Sequence, residues 1–472
     1  LRSFRRFSTP AYEIFGLAVR TLVAPLLITL ALFRHGDATA AAFAIVENSA
    51  SGQGMAFAGG GAIAEDASAV WFNPAGIVRL DDQYQLTASY IHPSFTYSDR
   101  GSVQETPLGN FPLLPGSEAN LDNDIEDVVP TFFAVHALTD DVYLGLGINA
   151  PFGLTSKYDR TWIGRYQAVK SALKTVNVNP VVAWQPTPNW SIGGGISINY
   201  IDVELSNALD FATVCAAAIV AICPNGALPG QGGFDGFVRN KGDDVSLGAN
   251  IGLMWFSDVT RVSLSWRSEI KHQLKGDATF TQPTTLGGFA ALPEPLGSEL
   301  GATFTDTSIS ADVTLPDSVS FAVFHQLTSD WSITTDITWT DWADIQAIEI
   351  EFDNPLTPTG VEALGFSSSW RYALGVQYRA NQQWTLRTGA AFDESPTPNA
   401  QLRSARLPDA DRTWLSLGFS YQVNRRYSVD FGYSHLLVDD VDINRLGGTE
   451  NLLLGQYQSS VNIVSLQLTG KF

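Results

Sequence analysis

Apolar residues alternate with small or polar ones along most of the chain after residue 83, and turns interrupt this alternation. In Ser191–Tyr200, isoleucine and tyrosine fill most of one set of alternate positions, and serine, glycine and asparagine fill the other. The segments Trp414–Val423 and Tyr427–Tyr433 repeat the pattern. Because successive side chains of a strand point to opposite faces, this period of two predicts β-strands with one apolar and one polar face.

The polar face of these strands is too hydrophilic to form a packed core. A soluble β-sandwich would bury the apolar face against a second sheet, and the alternation alone does not exclude that fold. The number of such strands and the export signal described below favour contact of the apolar face with lipid. We therefore predict an all-β fold, a transmembrane antiparallel β-barrel with a polar lumen.

Fourteen such strands are predicted, separated alternately by six short turns and seven long loops. They begin near residues 83, 129, 142, 173, 190, 243, 259, 311, 330, 368, 383, 411, 426 and 460. An even strand number with both chain ends on the short-turn side is typical of outer-membrane barrels. The last residue, Phe472, lies on the outward face of the final strand and resembles the signal that the barrel-assembly machinery binds.

The first forty residues have the features of a secretory signal peptide. Four arginines precede the apolar run Leu22–Phe33, and Ala38-Thr39-Ala40 matches a cleavage site. A single anchoring helix is disfavoured because the run is too short to span a bilayer. Removing residues 1–40 takes away five arginines and two acids, so the formal charge changes from −20 to −23.

Composition narrows the class of protein further. Only 16% of the residues are charged, against about 25% in soluble domains, and the mean hydropathy is nevertheless only +0.03. A bundle of transmembrane helices would need several apolar runs of about 20 residues, which this sequence lacks. The acidic balance also argues against nucleic acid as a partner, because phosphate binding needs a basic face.

The two cysteines and the histidines give little sign of chemistry. Cys215 and Cys223 are expected to form a local disulfide in an exported chain, since the residues between them offer no metal ligands. The acidic run Asp122–Asp127 lacks the spacing of an EF-hand and is interpreted as a solvated loop. Six scattered histidines form no catalytic motif, so we predict no enzyme activity, no metal site and no cofactor.

Residues 41–82 differ from the rest of the chain because they are rich in small residues and do not alternate. The run Gly59-Gly60-Gly61 could be a phosphate-binding loop, but it lacks the following Lys-Ser/Thr and a preceding strand. A compact plug, or hatch, inside the lumen is the preferred interpretation. The predicted organisation is a signal peptide over 1–40, a hatch over 41–82 and a barrel over 83–472.

Several ordered motifs resemble the FadL/TodX (OMPP1) family of outer-membrane transporters for long-chain fatty acids and other hydrophobic compounds. The matching segments are Ala41-Ala42-Phe43, Ser49–Gly54, Gly61–Asp66, Asn73-Pro74-Ala75, Trp266–Lys271, Trp339–Trp342, Trp384–Pro398 and Leu407–Arg412. The resemblance implies a fourteen-stranded barrel with an N-terminal hatch and no cofactor. It also implies passive transport by a monomer embedded among outer-membrane lipid and lipopolysaccharide.

The family mechanism has three steps. A hydrophobic ligand is captured among extracellular loops, passes to a pocket that the N-terminus gates, and leaves sideways at a kink in the third strand. The resemblance assigns the pocket and gate to Ala41, Ala42, Phe43, Leu205, Asn207 and Glu362, and the hatch motif to Asn73, Pro74 and Ala75. It assigns the kink to Asn149, Pro151, Phe152 and Gly153, and the capture loops to Phe211, Ile219, Ile222, Phe289 and Leu292.

Two of these assignments have simpler alternatives. Pro151 and Gly153 also fit an ordinary β-bulge. The apolar loop Phe211–Ile222 also fits a helix packed on its neighbours and held by the disulfide.

One departure from the family bears on the ligand. Two basic residues that bind the ligand carboxylate in fatty-acid members fall on Asn207 and Glu362, and Asp202 and Glu204 are expected to face inward nearby. An acidic pocket would repel a carboxylate. Either other bases serve, with Arg371, Arg387 and Arg403 as candidates, or the ligand is an uncharged hydrocarbon. We favour a ligand range that is not restricted to fatty acids; a general diffusion porin or a structural barrel is the alternative function.

Overall fold

The computed structural model describes residues 42–114, 127–219, 221–223 and 225–472. The predicted signal peptide, Ala41 and all of the acidic run except Asp127 lie outside these residues. Within them, no helix combines the length and the apolar character needed to cross a membrane.

The described residues form β-strands joined into one antiparallel sheet. The strands are β1 (Gln83–Asp99), β2 (Val103–Gln104), β3 (Phe111–Pro112), β4 (Asp127–Ala137), β5 (Val142–Asn149), β6 (Gly153–Lys157), β7 (Lys170–Thr187), β8 (Trp190–Asp210), β9 (Asp235–Phe256), β10 (Thr260–Arg267), β11 (Ile270–Thr281), β12 (Thr307–Leu315), β13 (Ser318–Gln326), β14 (Trp331–Thr340), β15 (Ala347–Phe352), β16 (Gly360–Ala363), β17 (Ser369–Arg379), β18 (Trp384–Asp393), β19 (Arg412–Gln422), β20 (Tyr427–Val438), β21 (Val441–Leu446) and β22 (Asn451–Lys471).

These segments make a closed barrel of fourteen strands, as predicted. Six barrel strands consist of two segments each: the third (β5, β6), seventh (β10, β11), eighth (β12, β13), ninth (β14, β15), tenth (β16, β17) and thirteenth (β20, β21). The first strand pairs with the last from Gln83–Lys471 to Asp99–Gly455, which closes the barrel. The short segments β2 and β3 pair with each other in the first long loop.

Large apolar side chains cover the outside of the barrel. Leu247, Leu417 and Ile196 are 67%, 60% and 54% exposed, whereas Ser197 and Ser416, on the opposite face, are buried. The alternation therefore places apolar residues outward, where lipid would cover them. The chain ends with Phe472 exposed and its ring stacked beside Tyr84.

Three barrel strands begin clearly earlier than their apolar pattern predicts, and one of them, the tenth, begins with β16 at Gly360 instead of residue 368. Barrel strand 6 begins at Asp235 instead of residue 243, and barrel strand 14 begins at Asn451 instead of residue 460. Their extra residues pair with neighbouring strands, Asp235 with Asp210 and Leu452 with Leu446. These extensions carry polar or irregular sequence because residues that project beyond the bilayer need no apolar outer face.

Short helices precede and interrupt the barrel. They are α1 (Ala50–Gln53), α2 (Gly60–Ile63), α3 (Ala69–Phe72), α4 (Phe211–Ile219), α5 (Leu296–Thr303) and the 3₁₀ turns Pro74–Arg79, Thr285–Gly287, Phe289–Ala291 and Trp342–Asp344. Ser49 caps α1, since its hydroxyl accepts a hydrogen bond from the Gly52 N–H over 3.1 Å. Asn73 caps the turn Pro74–Arg79 in the same way through the Ala75 N–H.

The segment 42–80 lies inside the barrel. Helix α1 contacts β19, β20 and β22, helix α2 contacts β10, β13 and β14, and the turn Pro74–Arg79 contacts β5, β7, β8 and β9. The segment therefore touches strands around most of the circumference, and most of its residues are buried. We refer to residues 42–80 as the hatch.

Candidate ligand pocket and lateral gate

The third barrel strand is broken where the sequence predicts a kink. Asn149 is opposite Asn177, and the next pair joins Gly153 to Lys174. The third strand thus has three residues in an interval where the fourth has two, so one residue is extra. Pro151 lies in this interval and has no N–H to donate to a neighbouring strand.

The hatch binds to the broken strand through its backbone. The Ile45 N–H donates to the Pro151 carbonyl, and the Gly153 N–H donates to the Phe43 carbonyl, each over 2.8 Å. Ala44 forms a β-bridge with Phe152 between these two bonds. The predicted gate residue Phe43 and the predicted kink residues are therefore brought into direct contact.

The break separates the third barrel strand from the second. Segment β4 pairs with β5 over Phe132–Ala137, whereas β6 pairs with β7 over Gly153–Lys157. In the described part of the chain, the ladder between the second and third strands stops at Phe132, although β4 continues to Asp127 along β1. The described residues of the second and third strands therefore have no ladder pairing beside the break.

A hydrogen bond between two asparagines joins the hatch to the third strand beside the break. The Asn149 side-chain amide donates to Asn48 Oδ1 over 2.8 Å, and the Asn177 amide donates to Asn149 Oδ1 over 3.1 Å. All three residues are buried. Asn149 belongs to the predicted site, but the role of Asn48 was missed because nothing in the sequence near it points to a partner 101 residues away.

Apolar side chains fill the lumen next to Phe43. Its ring centroid is 4.8 Å from that of Trp342 and 5.9 Å from that of Phe152, and Leu205 packs against the same cluster. The other buried members are Ala42, Leu154, Leu173, Ile201, Val203, Ile270, Leu274, Val313, Leu315, Ile345, Leu364, Phe366 and Leu407. These side chains pack against one another at the predicted pocket residues, and we call this set the apolar pocket. It contains four of the predicted residues, but Trp342 was not predicted as part of it.

A polar group adjoins the apolar pocket. Arg406 Nε donates to Glu362 Oε2 over 3.2 Å, and its Nη2 donates to Asn207 Oδ1 over 3.0 Å. Arg445 Nη2 donates to Glu362 Oε1 over 2.7 Å. Glu362 and Asn207 are therefore brought together, as the resemblance implies.

The charge of this group differs from the expected acidic pocket. Two guanidinium groups share one carboxylate, so the group carries a net positive charge when all three side chains are ionised. Burial lowers the pKa of Arg406, and the Glu362 carboxylate opposes that effect. Sequence reasoning missed Arg406 because a long, non-periodic loop folds inward to bring it here.

The bases and acids named from the sequence have other partners. Arg371 donates to the Ala56 carbonyl of the hatch, Arg387 to Asp430, and Arg403 to the Asp409 carbonyl. Asp202 and Glu204 were expected to face inward, and this was wrong. They share the outward face of β8 with Ile198 and Tyr200, and they pair with the nearby bases Lys241, Lys170 and Arg239.

The predicted capture loops pack against each other. The Phe211 ring centroid is 4.8 Å from that of Phe289, and Leu292 belongs to the same buried cluster. A disulfide joins Cys215 to Cys223 within this cluster. Ile219 and Ile222, in contrast, are 37% and 47% exposed. The loop is thus a packed helix held by a disulfide, and it also presents apolar side chains to the outside.

The predicted hatch motif joins the hatch to barrel strands 5 and 6. The Asn73 amide donates to the Leu253 carbonyl over 3.2 Å, and Ser191 Oγ donates to the Ala75 carbonyl over 2.7 Å. A Cβ at Gly193 would lie 2.6 Å from the Pro74 carbonyl carbon. Glycine at this position lets the motif approach the wall closely.

Comparison with known proteins identifies the family. Residues 31–472 match the family model described as "Outer membrane protein transport protein (OMPP1/FadL/TodX)". A long-chain fatty acid transport protein of Salmonella typhi is 32% identical over 417 residues, which cover 86% of this chain and 90% of that protein. Outer membrane protein P1 of Haemophilus influenzae is 28% identical over 477 residues, covering 95% and 98%.

Solved structures agree with the fold. A FadL homologue of Pseudomonas aeruginosa superposes with a TM-score of 0.80 at 25% identity, covering 92% of this chain and all of that one. The toluene transporter TodX of P. putida gives a TM-score of 0.68 at 16% identity, covering 91% and 99%. The chain therefore belongs to the OMPP1/FadL/TodX family, whose members are outer-membrane transport proteins and not enzymes.

Proposed function

We propose that this protein carries hydrophobic small molecules passively through the outer membrane and releases them sideways between barrel strands 2 and 3. One observation carries the proposal: the apolar pocket meets the broken third strand at Phe43 and Phe152, where the second and third strands have no ladder pairing. The relationship to long-chain fatty acid transport proteins supports the ligand class.

The route begins at the extracellular loops and ends in the bilayer. The exposed side chains of Ile219 and Ile222 offer an apolar surface for capture. The hatch backbone at Phe43–Ile45 closes the kink, so its displacement is the gating step. Sideways exit is favoured because a hydrophobic ligand gains about 25 cal/mol for each Å² of apolar surface that enters lipid.

The pocket favours a ligand range that is not restricted to fatty acids. Arg406 already donates to Glu362, Asn207, Ser171 and the Ser206 carbonyl, so only one of its five N–H groups is left for a ligand carboxylate. The apolar pocket itself has only apolar side chains, so it does not select among the polar ends of ligands. We therefore expect a fatty acid and its matched alkane to bind with affinities within about tenfold, or 1.4 kcal/mol.

The remaining partners follow from the location. The outward apolar band contacts membrane lipid, the long loops meet lipopolysaccharide, and Phe472 is the residue that the barrel-assembly machinery recognises. We propose that the protein works as a monomer.

Deletion of Pro151 tests lateral exit. The deletion removes both the extra residue and the missing N–H donor. The ladder between the third and fourth strands can then continue from Asn149 to Gly153 without a shift, so that the third strand runs straight beside the second. We expect uptake of oleate and octadecane into vesicles holding the purified protein to fall at least tenfold. The matched variant Pro151→Ala keeps the extra residue and should retain most uptake.

Two outcomes would contradict the proposal. Unchanged uptake in the deletion variant, with the barrel folded, would exclude the exit between strands 2 and 3. A large ion conductance of the intact protein would instead indicate a general porin. We expect the conductance to be low and to rise strongly when residues 42–80 are deleted. Much tighter binding of oleate than of octadecane would overturn the wider ligand range only.

A further inference from the structure

Lysine is rare in this chain, and most of it lies on one part of the outer surface. The sequence has seven lysines, and five of them occupy outward positions near the loop ends of barrel strands 3, 4, 6 and 7. Arg239 lies on the same face of β9. We call these six residues the basic surface: Lys157, Lys170, Lys174, Arg239, Lys241 and Lys275.

The basic surface begins directly beyond the apolar band. Residues that pair across an antiparallel ladder share a face. Val176, Tyr200 and Val245 pair in one outward row, in which Tyr200 and Val245 are 37% and 59% exposed. The next outward row towards the long loops is Lys174, Asp202, Asp243 and Lys275. The outward side chains therefore change from apolar to charged at the height where lipid tails give way to head groups.

The outward row nearest the loops contains bases and hydroxyl groups. From strand 3 to strand 7 it consists of Lys157, Lys170, Ser206, Arg239 and Thr279. Glu204 of strand 5 holds two of these bases, since its carboxylate oxygens lie 3.2 Å from Lys170 Nζ and 3.0 Å from Arg239 Nε. The side chains of Lys170 and Arg239 are still 38% and 49% exposed, so they can also contact a group outside the barrel.

Acids on the same face do not neutralise the basic surface. Those among its rows are Asp202, Glu204, Asp243 and Asp277. Six bases and four acids give this face a formal charge of +2, in a chain whose formal charge is −20. A solvated set of ion pairs explains Lys241, which lies 3.3 Å from Asp202. It does not explain why the bases exceed the acids here.

Other parts of the barrel meet water at this height without lysine. On barrel strands 1 and 14, the outward pairs beyond the apolar band are Ser94–Ser460, Thr96–Gln458 and Ser98–Gln456. On barrel strands 8 and 9, the outward residues include Asp312, Glu349 and Glu351. Neutral or acidic side chains are therefore sufficient for solvation, and the bases of strands 3 to 7 call for an anionic partner.

We propose that the basic surface binds the phosphorylated head group of lipopolysaccharide. Long loops mark the extracellular side of such barrels, so the lipid beside these residues is that of the outer leaflet. Lysine and arginine bind phosphate through charge-assisted hydrogen bonds, and the apolar band next to them can contact the acyl chains. This proposal gives a site to the lipopolysaccharide contact proposed above, and it does not depend on the transported ligand.

The row nearest the loops provides the test. The triple variant Lys157→Gln, Lys170→Gln and Arg239→Gln removes its charges and keeps the apolar band. Native mass spectrometry of the purified protein in a non-ionic detergent, titrated with lipopolysaccharide, measures binding. We expect the triple variant to bind at least about tenfold more weakly than the unaltered protein. Removing the phosphates from the lipopolysaccharide should weaken binding to the unaltered protein to a similar extent and change binding to the variant little.

A matched control changes the charge equally at the opposite end of the barrel. Arg379→Gln, Arg425→Gln and Arg426→Gln remove three exposed bases on the short-turn side, and lipopolysaccharide binding should stay within about twofold of the unaltered protein. The heat-dependent gel shift of a folded barrel verifies that each variant folds. The phosphate-free lipopolysaccharide tests the proposal on the unaltered protein even if the triple variant does not fold.

Several outcomes would overturn the proposal. They are equal binding by the triple variant and the unaltered protein, an equal loss in the control variant, and unchanged binding after the phosphates are removed. Phosphatidylglycerol and inorganic phosphate are titrated in the same way, and equally tight binding of either would show that the surface does not recognise lipopolysaccharide. Oleate uptake into vesicles without lipopolysaccharide reports on transport separately. We expect the triple variant to keep that uptake, whereas no uptake by the unaltered protein would contradict the proposed function alone.

Discussion

The two sides of the barrel hold the hatch by different means. On the side of barrel strands 10 to 13, one glycine from each strand faces the hatch: Gly375, Gly389, Gly418 and Gly432. A Cβ at Gly389 would lie 2.3 Å from the Met55 carbonyl carbon, and a Cβ at Gly418 would lie 2.7 Å from Gly54 Cα. Backbone packs directly on backbone here, and the ladders of β17 to β20 continue without a shift.

On the side of barrel strands 2 to 9, the hatch packs closely on backbone at Gly193 of strand 5, but elsewhere it meets side chains and strand breaks. Phe43, Asn48 and Trp71 each contact a neighbour across a strand break or a cavity. Such contacts can be exchanged for contacts with a ligand, whereas close backbone packing has no room for one. We infer that the hatch is fixed on the glycine side and at its Asn73–Ala75 motif, and that its N-terminal part, Phe43–Asn48, is releasable.

The largest expected effect comes from Phe43, on the releasable side. Its ring is 4% exposed and fills the space between the apolar pocket and the kink. We expect Phe43→Ala to lower the free energy of unfolding by about 3–5 kcal/mol and to speed uptake of oleate into vesicles. Denaturant titration in detergent measures the first effect.

Phe43→Leu is the matched control, because it keeps most of the apolar volume. Its loss of stability should be clearly smaller, and its uptake should stay near that of the unaltered protein. Equal losses of unfolding free energy in both variants would mean that the Phe43 ring does not fill the gate. The inference that the hatch is releasable at this place would then be wrong.

A methyl group at Gly389 tests the fixed side. Gly389→Ala puts a Cβ into the Met55 backbone, so we expect a loss of about 1–3 kcal/mol from overpacking and a higher ion conductance as the hatch shifts. Gly448→Ala makes the same change where no atom lies within 4 Å and should do neither. If Gly389→Ala leaves conductance and stability unchanged, the hatch is not fixed at the glycine side.

The sequence predicts the barrel well because lipid imposes a simple rule on its strands. Most membrane-facing positions are apolar, so the period of two is visible in the membrane-spanning part of the strands. The kink is also local: Pro151 removes a donor wherever it lies. The period could have placed Asp202 and Glu204 correctly as well, since they continue the outward positions of Ile198 and Tyr200.

Other features depend on residues that are far apart in sequence. Arg406 reaches Glu362 and Asn207 across 44 and 199 positions, from a loop without periodicity. The extra residue at the kink becomes visible only when its partner strand is aligned beside it. The four glycines that face the hatch resemble other small luminal residues until the hatch backbone is in place.

The smallest expected effect concerns the hydrogen bond from Asn149 to Asn48, on the releasable side. A single buried hydrogen bond contributes about 0.5–1.5 kcal/mol, so a double-mutant cycle with Asn48→Ala and Asn149→Ala should give a coupling energy in that range. Because this bond lies beside the break in the third strand, we expect each variant to speed oleate uptake while conductance stays low. The cycle of Ser416→Ala and Ser434→Ala, whose hydroxyls bond on the closed wall, should leave uptake unchanged. Faster uptake in the serine variants, or unchanged uptake in the asparagine variants, would show that ligand release does not depend on which part of the wall is loosened. The distinction between the two sides would then be wrong.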